Sequence, residues 1–171
     1  MRRSIHLIAA IGLLFAPAAF ADPSVGAPMP TFAVNDLNGT RHTERDLQGR
    51  WTIALTMTDK DVGDDLTAWW RRLETSVPQG TRMLTFAALN LFPLIPTDTI
   101  IGQARDATPR PRWNTVWLSR DGSFAHSLGL PEVEMPWIFV INPEGRVAAA
   151  VHERMSEAAV RRVLAAIPTA P

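Results

Sequence analysis

From residue 31 onward the chain alternates between short β-rich apolar runs and segments with helical spacing. Thr31-Phe32-Ala33-Val34 alternates polar and apolar positions, Asn38-Gly39 offers a hairpin turn, and Arg41 to Leu47 forms the returning strand. Trp51 to Met57 (WTIALTM) is apolar and β-rich enough for a buried central strand. Leu66, Trp69, Trp70 and Leu73 then recur at spacings of three and four, predicting an amphipathic helix that Pro78-Gln79-Gly80 ends. Met83 to Leu89 is a second buried strand. A short helix runs from Pro96-Thr97-Asp98 to about Ala104, and Pro109-Arg110-Pro111 forbids its continuation.

Asn114 to Leu118 reads as a third strand, Arg120-Asp121-Gly122 as a turn, and Ser123 to Leu128 as one or two helical turns. Trp137 to Ile141 is an apolar strand behind Pro136. Asn142-Pro143-Glu144-Gly145 turns it back into Arg146 to Val151. Ser156 stands where a helix cap is wanted, and Val160, Val163, Leu164 and Ile167 line one face of the final helix. Strand–helix alternation followed by a hairpin calls for parallel strands with right-handed crossovers and an antiparallel end. The expected class is α/β: a mixed central sheet flanked by helices, with an N-terminal β-hairpin.

The segment before this pattern carries an export signature. Arg2 and Arg3 precede the apolar stretch Leu7 to Ala16, and Ala19-Phe20-Ala21 is a small-x-small cleavage site. The expected organisation is a signal peptide over 1–21 and one domain over 22–171, in a periplasmic or secreted protein. The later apolar runs are too short to span a bilayer, so no membrane insertion is expected after cleavage. The 17 Lys and Arg residues, Arg2 and Arg3 among them, face 17 Asp and Glu residues, which leaves no basic surface for nucleic acid.

Cysteine is absent. Exported proteins live where disulfides form, so stability must come from packing. Thiol-disulfide exchange and cysteine-dependent peroxidase chemistry are excluded by composition.

Several local stretches nevertheless resemble the thioredoxin-like superfamily, in its envelope thioredoxin-like and peroxiredoxin-related branch. Ala27-Pro28-Met29-Pro30-Thr31-Phe32, Asp36-Leu37-Asn38-Gly39-Thr40 and Asp46-Leu47-Gln48-Gly49-Arg50 are similar to its opening hairpin. Met135-Pro136-Trp137 through Arg146-Val147 resembles its cis-proline strand, turn and last strand. The resemblance implies a thioredoxin-like fold over most of the mature chain and a cis bond before Pro136. The region from Leu91 to Trp113 departs most from that pattern. Counted without gaps from Gly49, the family's Cys-x-x-Cys pair falls on Asp61-Val62-Gly63-Asp64. An aspartate cannot attack a disulfide, so the fold is expected without the family's redox activity.

The acidic loop has three readings. In the first, Asp61 or Asp64 caps the following helix. In the second, Asp59, Asp61, Asp64 and Asp65 supply hard oxygen ligands for calcium or magnesium, and with them a non-thiol, metal-assisted enzyme. The glutamate that ends a calcium loop is replaced by Trp70, so no metal and no other cofactor is expected. In the third, the Asp61/Asp64 pair does acid–base work, for which no second catalytic group is visible. His42, His126 and His152 lack metal-ligand spacing. No serine stands in a Gly-x-Ser-x-Gly context.

The expectation for function is thus a non-redox envelope protein that binds a protein or peptide partner. The resemblance implies a groove beside the helix-start loop, where Glu134, Met135 and Pro136 present main chain to an extended segment.

Overall fold

The computed structural model describes residues 25–168. The export signal lies outside these residues. Among the described residues seven strands form one sheet: β1 (Ala33–Asp36), β2 (Arg41–Thr43), β3 (Thr52–Met57), β4 (Arg82–Ala88), β5 (Val116–Ser119), β6 (Trp137–Ile141) and β7 (Val147–His152). Their order across the sheet is β2-β1-β5-β4-β3-β6-β7. The β3–β4 and β4–β5 pairs are parallel, and the remaining pairs are antiparallel. The helices are α1 (Gly63–Glu74), α2 (Thr97–Asp106), α3 (Ser123–Ser127) and α4 (Glu157–Ala165).

Side-chain alternation divides the core in two. Ile53 and Leu55 of β3, with Ile138 and Val140 of β6, meet Leu66, Trp69 and Leu73 of α1 and Val160 and Val163 of α4. On the other face Ala54, Leu84, Phe86, Trp117, Phe139 and Phe124 come together. Phe32, Phe86, Trp117 and Phe124 form an aromatic cluster there, with centroids 4.8–6.2 Å apart. This packing is where a chain without disulfides finds its stability. The adjacent tryptophans split as a helix requires: Trp69 is fully buried, with Nε1 donating to the Glu153 carbonyl at 3.2 Å. Trp70 is half-buried under the Arg112 guanidinium, 5.0 Å from its ring.

The strand after the first turn is shorter than its sequence suggests. Asp36 accepts from the Asn38 and Thr40 N–H groups at 2.8 and 2.9 Å, and Gly39 takes φ 90°, so the hairpin forms as expected. β2 nevertheless stops at Thr43, because the Asp46 carboxylate accepts from the Thr43 N–H at 2.7 Å and starts a 3-10 turn over Glu44–Leu47. Another 3-10 turn, Arg110–Thr115, takes the start of the expected third strand, where the Thr115 hydroxyl donates to the Arg112 carbonyl at 2.7 Å.

At the start of α4 the Ser156 hydroxyl accepts from the Ala159 N–H at 3.1 Å. Ser156→Ala is expected to cost about 1 kcal/mol, read as a lower urea midpoint with an unchanged slope.

Candidate functional site

β3 and β4 run parallel, so their C-terminal ends open on the same side of the sheet, where crossover loops gather. The loop after β3 (58–62), the loop after β4 (89–96) and the stretch before β6 (131–136) meet there. Between the first two, and reaching Glu132 of the third, lies a cleft of about 170 Å³ lined by Thr58, Asp59, Lys60, Asp61, Leu91 and Phe92 among others.

The acidic loop is organised differently from either aspartate-capping expectation. Asp59 is the cap: its Oδ1 accepts from the Asp61 N–H at 2.8 Å and opens a 3-10 turn, Lys60–Val62, that runs directly into α1. Neither Asp61 nor Asp64 caps a helix, because α1 continues an existing turn and needs no fresh cap. Asp61 instead accepts from Lys60 Nζ at 2.7 and 2.8 Å at the cleft edge. Asp64 is exposed on the first turn of α1, and Asp65 pairs with Arg154 at 3.2 Å. Lys60 is held above its ordinary pKa, first by its bond to Asp61 and then by the nearby charges of Asp61, Asp59 and Glu134. Among the described residues no three acidic or histidine side chains converge as metal ligands, so the acidic loop forms no chelating set. Its carboxylates are spread along a cap, a surface pair and a helix face.

The stretch before β6 also departs from expectation. Among the described residues no peptide bond is cis, so the Met135–Pro136 bond is trans. The loop is fixed by a side chain instead. Thr58, 2% exposed, accepts from the Val133 N–H at 3.2 Å, and its hydroxyl lies 3.5 Å from the Val133 carbonyl. Pro136 is buried behind this contact, at the foot of β6. Thr58 thus saturates the main chain of Val133, while no hydrogen bond among the described residues engages the main chain of Glu134 or Met135. Of this stretch Glu132 lines the cleft, and the charge of Glu134 reaches Lys60.

Sequence reasoning missed Thr58, Glu132 and the Leu91–Ile95 loop. The signal for Thr58 is slight, a single hydroxyl behind an apolar strand. The loop is louder: Leu91-Phe92-Pro93-Leu94-Ile95-Pro96 is an apolar run that Pro93 interrupts and Pro96 ends, which argues against a strand.

A larger cavity, about 340 Å³, lies between β1, β5 and the start of α2. Its charged groups are largely occupied in holding the fold. Asp36 serves the β1–β2 turn, and the Arg120 guanidinium donates to the Pro93 and Ile95 carbonyls and to Thr97 Oγ1. Asp121 accepts from Ser119 and Ser123 and is held below its ordinary pKa, first by the Ser123 hydroxyl.

No family model matches the sequence, and no curated protein matches it either. Solved structures do match in fold. BsSco, a member of the Sco family of cytochrome c oxidase assembly proteins, shares 13% identity over 85% of this chain and 95% of its own, at a TM-score of 0.60. The exposed lipoprotein thioredoxin of Streptococcus pneumoniae shares 12% over 80% of this chain and 99% of its own, at 0.58. The thiol peroxidase of Chromobacterium violaceum shares 13% over 85% and 87%, at 0.60. The chain has the thioredoxin-like fold, in a form without cysteine.

Placing Asp61 and Asp64 where that fold carries its thiols has a direct check. Residues 61 and 64 are separated by helical backbone, with Val62 at φ −80°, ψ 0° and Gly63 at φ −55°, ψ −40°. Side chains three apart on such a turn face the same way, and a disulfide needs Cα atoms about 4.4–6.8 Å apart. Asp61→Cys/Asp64→Cys is expected to close a bridge in air, seen as loss of free thiol and of two hydrogens in the intact mass. Both thiols staying free in a folded protein would refute the equivalence.

Proposed function

We propose that this is a non-redox binding protein of the cell envelope, which holds an extended segment of a partner protein in the cleft between the acidic loop and the stretch before β6. The observation that carries the reading is the main chain of Glu134 and Met135, unengaged among the described residues, in the stretch whose Glu132 lines that cleft. An extended segment docked there gains main-chain hydrogen bonds as an added strand would. With aspartates at positions 61 and 64, the cleft has no nucleophile for disulfides or peroxides. The envelope assignment is supported by the basic, apolar and small-x-small order of residues 1–21, with Asp22 as the mature N-terminus.

Capture from envelope extract tests this. The wild-type protein is expected to retain a discrete partner equally with and without reductant, and Met135→Pro, which removes one main-chain donor, is expected to release it. Retention unchanged by Met135→Pro would overturn the cleft assignment, and insulin reduction above a boiled control would overturn the non-redox one.

A further inference from the structure

The loop after β4 exposes apolar side chains with no structural use for them. Phe92 is 65% exposed, Leu94 80% and Ile95 38%. Three neighbouring apolar side chains left in water form a patch of the kind that marks an interaction site.

The loop is held, not loose. Arg120 donates to the Pro93 and Ile95 carbonyls, the Leu91 N–H donates to the Arg120 carbonyl at 2.9 Å, and the Ile95 N–H to the Phe92 carbonyl at 3.1 Å. Pro93 and Pro96 narrow its backbone further. At its base Asn90 bridges to Asp121 and packs 3.3 Å from where a Gly122 side chain would begin. An apolar ridge ordered before binding loses little entropy when a partner covers it.

The ridge adjoins an acidic rim. Phe92 lines the same cleft as Asp59, Asp61 and Glu132, and the charge of Glu134 reaches Lys60. Lys60, the one base lining that cleft among the described residues, is already paired with Asp61. Charge selects among the occupants that an apolar ridge could take. An anionic membrane surface would be repelled by the rim, and a second copy docking the same face would set two acidic rims together. A cationic segment with apolar side chains matches both parts.

We infer that the Phe92–Ile95 ridge and the Asp59, Asp61, Glu132 and Glu134 rim select a basic, apolar segment of a partner protein. This rests on the cleft-binding function and names the chemistry of its ligand. The apolar side chains of the segment cover Phe92 and Leu94, and its lysines or arginines face the carboxylates.

Fluorescence anisotropy with three short labelled peptides tests the inference: alternating lysine–leucine, glutamate–leucine and lysine–serine. The lysine–leucine peptide is expected to bind at least about tenfold more tightly than the other two. F92S/L94S is expected to weaken it by about tenfold or more, and E132Q/E134Q to weaken it and flatten its salt dependence. The substituted side chains are exposed or at the rim, and circular dichroism checks that each variant is folded. Equal binding of the glutamate–leucine peptide, or none of the lysine–leucine peptide, overturns the inference. So does ridge-dependent binding to phosphatidylglycerol vesicles, or a dimer in sedimentation that F92S/L94S dissolves. If F92S/L94S and E132Q/E134Q change nothing while Met135→Pro still releases the extract partner, the ligand chemistry fails and the cleft reading stands. If Met135→Pro also releases nothing, both fail.

Discussion

Trp69→Ala is expected to destabilise the protein by about 3–5 kcal/mol, a large share of the roughly 5–15 kcal/mol that holds a domain together. Trp69 is wholly buried between α1 and the sheet, among Ile53, Leu55, Ile138 and Val140 from the two central strands and Val163 from α4. No disulfide is present to limit the damage. Urea unfolding followed by circular dichroism gives the measure, as a fall in midpoint. Trp69→Phe keeps most of the packing and loses the bond to the Glu153 carbonyl, so its cost is expected to be much smaller. Trp70→Ala is the internal comparison. Half-exposed and stacked with Arg112, it is expected to cost well under half as much. Equal losses at 69 and 70 would contradict the division of the pair into core and boundary.

Thr58→Val is expected to cost about 1–3 kcal/mol, although it replaces one side chain by another of the same shape. The hydroxyl is buried and satisfies the Val133 N–H; valine removes that acceptor and keeps the shape. Thr58→Ser restores the oxygen and is expected to recover much of the loss. The same contact positions the stretch before β6, so Thr58→Val is also expected to reduce partner capture, whereas Ser156→Ala, a helix cap on α4, is not. Unchanged stability in Thr58→Val would mean that Val133 finds another acceptor and that Thr58 does not set the loop.

The strands were legible where burial is continuous. Trp137–Ile141 coincides with its apolar run, and β3 and β4 differ from theirs by one residue at the ends. Runs buried on both faces leave the sequence little freedom, and this sheet has cores on both sides. Legibility failed where side chains compete with main chain. The Asp46 carboxylate ended β2 early, and Asp59, not Asp61 or Asp64, took the cap. Such contests turn on which of several neighbouring carboxylates reaches an N–H, a matter of geometry that spacing does not reveal. The trans bond before Pro136 belongs with them. Resemblance implied a cis turn, yet the loop is held by a threonine that lies 75 positions away from its partner in the chain. Resemblance implied a groove with Glu134 and Met135 beside the helix-start loop; the cleft itself is lined by Asp61, Phe92 and Glu132, the last two of which emerged only when the loops were brought together.

On the proposed function a partner protein lies along Met135 at this cleft. Incorporating a photo-crosslinking amino acid at position 135, and separately at the exposed Arg161 on α4, and irradiating intact cells reads it directly. A discrete adduct is expected from position 135, unchanged by reductant, and none from position 161. No adduct at 135, or the same adducts from both positions, would contradict it.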